Sequence, residues 1–224
     1  MKPPIPSSEA SRIEALRQYR LLDTMPEKVF DDITKLASFI CQTPIALMTL
    51  VDSERQWFKS KLGLAISQTP RDQAFCAHTV YCGELFVVTD AAIDVRFATN
   101  PLVTSDPQIR FYAGVPLLTP EGHGLGALCV IDNVPRQLTV EQTDALGALA
   151  RMIVVELELR RVSSDLAAAV TSIKTLSGML PICAFCKGIR NDAGYWQEIE
   201  TYIDTHTEAA LTHGICPNCA QKHF

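Results

Sequence analysis

The sequence predicts an α+β chain: one sheet flanked by helices, a long helix leading away from it, and a small metal-stapled unit. Three observations carry this expectation. Strand-length apolar runs lie between amphipathic helical segments, a proline-free stretch extends from Thr139 to Leu180, and two Cys-x-x-Cys pairs follow it.

The first helix is expected to begin near Ser8 and to turn Ile13, Leu16 and Tyr19 toward a core. Thr24, with Pro26 after it and Glu27 three residues on, has the pattern of a capping box opening a second helix. Val29, Phe30, Ile33, Leu36, Ala37 and Ile40 then recur at the spacing of one helical face. From Pro44 to Asp52 the chain becomes a near-continuous apolar run of strand length. Trp57 to Leu62, Leu85 to Thr89, Ile109 to Leu118 and Leu125 to Asp132 read as further strands. The turn Pro120-Glu121-Gly122-His123-Gly124 makes the last two a hairpin, and one sheet with helices packed on it is the economical assembly.

Thr139 and Gln142 form another capping-box pattern, and Pro181 supplies the stop of the helical stretch they open. Leu146, Leu149, Ile153 and Leu157 follow 3/4 spacing. A second series, Leu159, Val162, Leu166, Val170, Ile173, Leu176 and Leu180, follows it less regularly, with a slip of phase around Glu158 to Val162 such as a stutter produces. A coiled-coil stalk joining two copies of the chain is expected over 158–180. A core helix ending near Arg161, followed by a separate helix, is the plainer alternative.

Composition narrows the classes of function. The hydrophobic share of 47% supports a sizeable core, while a net charge of -5 and a pI near 5.5 argue against broad binding to nucleic acid or anionic membrane. The polar, proline-rich start lacks the pattern of a signal peptide, and no apolar run is long enough to span a bilayer. A cytoplasmic protein without membrane insertion is expected, and its eight cysteines are then more plausible as metal ligands or redox groups than as a disulfide framework.

Cys183-Ala184-Phe185-Cys186 and Cys216-Pro217-Asn218-Cys219 are the cysteines that cluster. Two residues between thiols let both turn toward one point, and two such knuckles complete the tetrahedral shell of structural Zn²⁺. The 29 residues between the pairs exceed ordinary finger spacing, so a folded insert is expected: a turn at Asn191 to Gly194, then a helix from Tyr195 to His206. Redox-active dithiols are the competing reading, though no βαβ context surrounds them. His213 or His223 is the alternative ligand to one thiol. Lys187, Arg190 and Lys222 are outnumbered by acidic residues after Pro181, so nucleic-acid binding is not expected.

Several ordered motifs resemble bacterial GAF domains of the type placed ahead of histidine kinases and diguanylate cyclases. They are Arg12-Ile13-Glu14-Ala15-Leu16, Leu22-Asp23-Thr24, Arg55-Gln56-Trp57-Phe58-Lys59, Phe75-Cys76-Ala77-His78-Thr79, Asp94-Val95-Arg96-Phe97, Arg110 to Leu117 and Gly126 to Asp132. The resemblance implies an antiparallel sheet of about six strands, with helices on one face and a small-molecule pocket on the other. It implies pocket candidates Trp57, Phe75, Cys76, His78, Asp94, Arg96, Phe97 and Tyr112. Each has a duller reading: the aromatics as core, Asp94 and Arg96 as a loop brace with Arg110, and Cys76 as a small buried apolar group. Cys76 and His78 are two apart on a helix, so their side chains are expected to diverge. The segment from Ile173 onward resembles a C-terminal extension of bacterial PAS, GAF and response-regulator proteins.

The organisation expected is a tail over 1–8, a sensory domain over 9–157, a linker helix over 158–180 and a zinc unit over 181–224. The functional expectation is a non-enzymatic sensor: a small ligand or partner signalling protein acts on the GAF domain, and a dimeric helix carries the signal to the zinc unit. Thiol redox chemistry at Cys76 or the paired cysteines is the alternative.

Overall fold

The computed structural model describes residues 2–174, 181–191, 194–206 and 211–223. They fall into two compact units, Met1–Val162 and Ser163–Phe224.

The first unit is built on a six-stranded, wholly antiparallel sheet. Its strands are β1 (Ile45–Val51), β2 (Arg55–Leu62), β3 (Gln68–Pro70), β4 (Phe86–Val88), β5 (Phe111–Leu118) and β6 (Gly124–Asp132), in the order β3-β2-β1-β6-β5-β4. The apolar run of β1 has a simple cause. Ala46, Met48 and Leu50 join the core on one sheet face, whereas Ile45, Leu47 and Val51 join the core on the other. A strand covered on both sides has no polar edge to alternate with.

Helices α1 (Glu9–Gln18), α2 (Lys28–Cys41) and α5 (Val140–Lys174) supply one layer, with Leu16, Phe30, Ile33, Leu146, Ile153 and Leu157 fully buried or nearly so. Each such side chain contributes roughly 1.5–3 kcal/mol of burial free energy. The opposite layer is α3 (Phe75–Cys82), the short α4 (Pro101–Thr104) and the irregular chain around them.

Charged side chains tie α1 and α2 to the sheet. Arg12 is buried, and its Nη1 donates to the carbonyls of Val51 (2.8 Å) and Gly124 (3.0 Å) while its other nitrogens donate to Glu9. Arg71 reaches the same carboxylate at 2.5 Å. Burial alone would raise the Glu9 carboxyl, but hydrogen bonds from Arg12 and Arg71 outweigh it and bring the group down to about 2.

The capping box expected at Thr24 is not formed. Helix α2 starts at Lys28 with Glu27 as an uncapped boundary residue. Lys59 Nζ instead donates to Thr24 Oγ1 (2.6 Å) and to the Met25 carbonyl (2.7 Å), and it pairs with Glu27 at 2.6 Å. The Lys59 side chain is 0% exposed. An unpaired buried ammonium costs far more than a helix end that meets water, so the ammonium takes these partners. Glu27 also pairs with Arg160 of α5.

The second capping box is formed: Gln142 N–H donates to Thr139 Oγ1 at 3.2 Å, and Thr139 N–H donates to Gln142 Oε1 at 3.0 Å. The slip of phase expected near Glu158 resolves differently. Leu146, Leu149, Ala150, Ile153 and Leu157 face the core, while Met152, Val155, Leu159, Val162 and Leu166 are exposed on another side of the same helix. Two faces overlap along one helix, which in sequence looks like one seam broken by a stutter. Leu176 and Leu180 lie outside the described residues.

In the second unit a hairpin, β7 (Ile189–Arg190) and β8 (Trp196–Gln197), is followed by α6 (Ile199–His206) and α7 (Pro217–His223). The helix expected from Tyr195 begins later, because Trp196 and Gln197 pair with β7 around a turn in which Gly194 N–H donates to Asn191 O (2.9 Å). Ile189 and Tyr202 are its buried side chains among those described. Among the described residues, no helix is long and apolar enough to cross a membrane.

Candidate functional site: a small cavity on the second sheet face

Alternation along β2 places Gln56 and Phe58 on the face opposite Trp57 and Lys59. There they meet Leu47 and Ile131 of the central strands, Thr69 of β3, Phe75 and Cys76 of α3, and Tyr112 of β5 around a small cavity. Leu64 and Ile66 from the β2–β3 connection and Leu102 and Pro107 from the α4 segment complete the lining. The free volume is about 20 Å³, room for one ordered water.

Two lining side chains are unsatisfied. Gln56 and Thr69 are 4% and 6% exposed, face each other as strand partners, and neither Gln56 Oε1 nor Thr69 Oγ1 has a hydrogen-bond partner. Each such buried group costs about 1–3 kcal/mol. An arriving N–H or O–H donor recovers that cost at Gln56 Oε1, and Thr69 offers either a donor or an acceptor beside it.

The walls are held firmly. Tyr112 Oη and Thr79 Oγ1 are 2.7 Å apart in a buried hydrogen bond that crosses over Gly114. A Cβ at Gly114 would stand 2.2 Å from the Tyr112 hydroxyl, so this position admits only glycine while the bond is kept. Asn100 accepts from Leu102 N–H and donates to Gln73 O, both at 2.9 Å, fixing α4 to the turn before α3. Arg110 donates to Val103 O (3.0 Å), so it braces the α4 segment rather than the Asp94–Arg96 loop.

The eight pocket candidates separate into three places. Phe75, Cys76 and Tyr112 line the cavity. Phe97 stacks on Phe75 (4.1 Å between ring centres), His78 meets Phe97 edge-on, and Arg96 lies over Phe86 at 4.8 Å; these form an aromatic cluster beside it. Asp94 accepts from Arg96 Nε and Nη2 (2.9 and 2.6 Å), which holds its carboxyl below the usual range. Trp57 is on the helical face with α2, across the sheet from the rest. Cys76 and His78 diverge, and the Cys76 thiol faces Cys129 at 3.5 Å, where burial pushes the Cys129 thiol up. Gln56 and Thr69 are absent from the sequence-derived set. The strand alternation that turns Trp57 one way necessarily turns Gln56 the other.

Of the cysteine pairs of the second unit, the first adopts a tight turn and the second lies at the start of α7. Cys183 N–H donates to Gly188 O (2.8 Å) and Lys187 N–H to Cys183 O (3.1 Å), while Cys219 N–H points to Cys216 Sγ at 3.4 Å. Backbone N–H groups around Cys183 lower its thiol from the ordinary value. Among the described residues, no three His, Cys, Asp or Glu side chains gather into a metal site, so the complete four-thiol shell is not assembled.

The fold matches known proteins. The GAF domain family model matches residues 25–157, more than half of the chain, and the chain belongs to that family. It is 44% identical over 160 residues to a cyclic di-GMP phosphodiesterase of Pseudomonas aeruginosa, a match that covers 71% of this chain and 27% of that protein. The chain therefore spans about a quarter of its curated relative's length. Among solved structures, the GAF domain of Thermosynechococcus elongatus PixJ aligns with TM-score 0.52 at 16% identity, covering 75% of this chain and 98% of that one. A domain of a two-component sensor histidine kinase protein from Sinorhizobium meliloti 1021 aligns with TM-score 0.51 at 15% identity, covering 65% and 99%. At these identities the two structures speak for the fold alone.

The phosphodiesterase match corrects the functional expectation. The expectation of a non-enzymatic sensor, with thiol redox chemistry as its alternative, is corrected to an enzyme-related or regulatory GAF domain, because the relative at 44% identity is named a cyclic di-GMP phosphodiesterase; the sensing part of the expectation is compatible with that.

Proposed function

We propose that this chain is a control domain of cyclic di-GMP hydrolysis, with a small ligand in the Gln56–Thr69 cavity as its input. The observation that carries the reading is the 44% identity, over 160 residues, to a cyclic di-GMP phosphodiesterase. The cavity supports it further: two buried polar atoms with no partner in the protein are placed to take up a ligand's hydrogen bonds. At about 20 Å³ the cavity has room for little more than a water. A ligand larger than water therefore enters by displacing the β2–β3 connection or the α4 segment, and that displacement is the conformational signal. Expression of the chain in a bacterium carrying a cyclic di-GMP reporter tests the reading. A shift of the reporter that disappears in a Gln56→Leu, Thr69→Val variant is expected; an unchanged reporter with the native chain sinks it.

The second unit is proposed to take one structural Zn²⁺ through Cys183, Cys186, Cys216 and Cys219. Support comes from the donor set, from the turn at Cys183 whose backbone N–H groups favour its thiolate form, and from the Cys219 N–H directed at Cys216 Sγ. Bound there, the ion would contribute folding free energy to a unit with few buried side chains. Elemental analysis is expected to give one zinc per chain with four thiols protected from titration. Four freely titrating thiols and no metal refute it.

A further inference from the structure

Gln56 and Thr69 stand directly opposite one another on β2 and β3, so their side chains leave the same face of the sheet side by side. Both residues are more than nine-tenths buried, and neither Gln56 Oε1 nor Thr69 Oγ1 has a partner in the protein. The other polar groups of the lining are engaged: the Cys76 thiol faces Cys129 at 3.5 Å, and the Tyr112 hydroxyl meets Thr79 at 2.7 Å. Among the described residues that line the cavity, none is a lysine, arginine, histidine, aspartate or glutamate.

We propose that the ligand of this cavity is a small uncharged alcohol, an inference that rests on reading the cavity as an input site. Its hydroxyl donates to Gln56 Oε1 and accepts from Thr69 Oγ1, while its hydrocarbon part meets the apolar lining. One hydroxyl carries a donor and acceptor lone pairs together, so a single group answers both strand partners. A phosphate or carboxylate would leave water with no cation to meet it, and an ammonium with no carboxylate. Either cost exceeds what two neutral hydrogen bonds return. Cyclic di-GMP, with its two phosphates, is excluded on the same ground, so the input differs chemically from the nucleotide whose hydrolysis is controlled.

The free volume of about 20 Å³ takes the hydroxyl alone. Room for the hydrocarbon comes from the β2–β3 connection, where Ile66 lines the cavity yet is 46% exposed, so swinging it outward uncovers little. That connection is held by Phe58 N–H on Ser67 O (2.9 Å) and by Lys61 Nζ, on the surface, donating to the carbonyls of Ala65 and Ile66. The α4 segment is the firmer wall, because Asn100 and Arg110 tie it to its neighbours.

Ligand-detected NMR titration of the full chain tests the class. The probes are benzyl alcohol and 1-butanol, their carboxylate counterparts benzoate and butyrate, toluene as the analogue without a hydroxyl, and cyclic di-GMP. The alcohols are expected to bind, toluene about tenfold more weakly than benzyl alcohol, and the charged probes not at all. In a Gln56→Leu, Thr69→Val variant the order of benzyl alcohol and toluene should reverse, a change that general loosening of the fold does not produce. On saturation with benzyl alcohol, amide exchange should rise over 63–67 and stay unchanged over 100–105. The proposal is overturned if neither alcohol binds, if the carboxylates or cyclic di-GMP bind as well as the alcohols, if the variant keeps the native order, or if exchange rises over 100–105 instead. These measurements do not use the reporter. Alcohol binding with a silent reporter therefore sinks the control role alone, and a responsive reporter without alcohol binding sinks this inference alone.

Discussion

The two faces of the sheet are built on opposite rules. On the helical face the charges are satisfied, though the Thr34 hydroxyl of α2 lacks a partner: buried Arg12 has two carbonyls and a carboxylate around it, and buried Lys59 a hydroxyl, a carbonyl and a carboxylate. On the other face, two uncharged side chains, Gln56 and Thr69, lie buried with their oxygens unanswered. Neutral groups are the cheaper to leave waiting, since an unpaired charge would cost several times more. The contrast separates the side that holds the domain together from the side that is kept ready for a change of occupant.

Four substitutions or conditions test that division, in order of expected effect. Arg12→Met should destabilise the protein by about 3–5 kcal/mol in urea denaturation, because it leaves two strand carbonyls without their donor and Glu9 with Arg71 alone. A loss below about 1 kcal/mol would show that water replaces the guanidinium, and the helical face would lose its special standing. Acid is the gentler probe of the same network. With its folded-state value at about 2 against an ordinary 4.5, Glu9 stabilises the fold fully above pH 4.5 and loses that contribution as pH falls toward 2. The amount is about 3 kcal/mol, and Glu9→Gln should flatten this acid limb of the stability profile.

Gly114→Ala probes the wall of the cavity. It should cost about 1–3 kcal/mol by forcing Tyr112 from Thr79, and the same change made on a Tyr112→Phe background should cost less. The smallest effect has the opposite sign. Gln56→Leu with Thr69→Val should raise the melting temperature slightly, by about 1 kcal/mol of stability, since both unpaired atoms are removed. If that double variant is markedly destabilised instead, these side chains are structural and the two faces obey the same rule after all.

Much of the fold was legible because burial leaves a plain mark on sequence. The apolar run of β1, the turn before β6 and the Thr139–Gln142 box all appear where local chemistry indicated them. Thr24 and Glu27 misled because a capping pattern and a pair of lysine partners look identical until Lys59 is placed beside them. Arg12 was hidden for a related reason, since a charged residue on an amphipathic helix reads as solvated. Of the site, Phe75, Cys76 and Tyr112 were legible as motif residues, whereas the importance of Gln56 and Thr69 depends on a cavity closing around them. No pattern along the chain encodes the lack of a partner.

The anchoring of α5 in the core has a consequence for how such a domain combines with others. A protein fused behind it inherits the angular phase of a helix already fixed by Leu146, Ile153 and Leu157. Each residue inserted at the joint turns the fused part by about 100° and lifts it about 1.5 Å, and steps of about seven or eleven bring it back near its starting orientation. Recombination at this joint is therefore quantised: most insertions change the phase of the fused part, and those of about seven or eleven residues keep it.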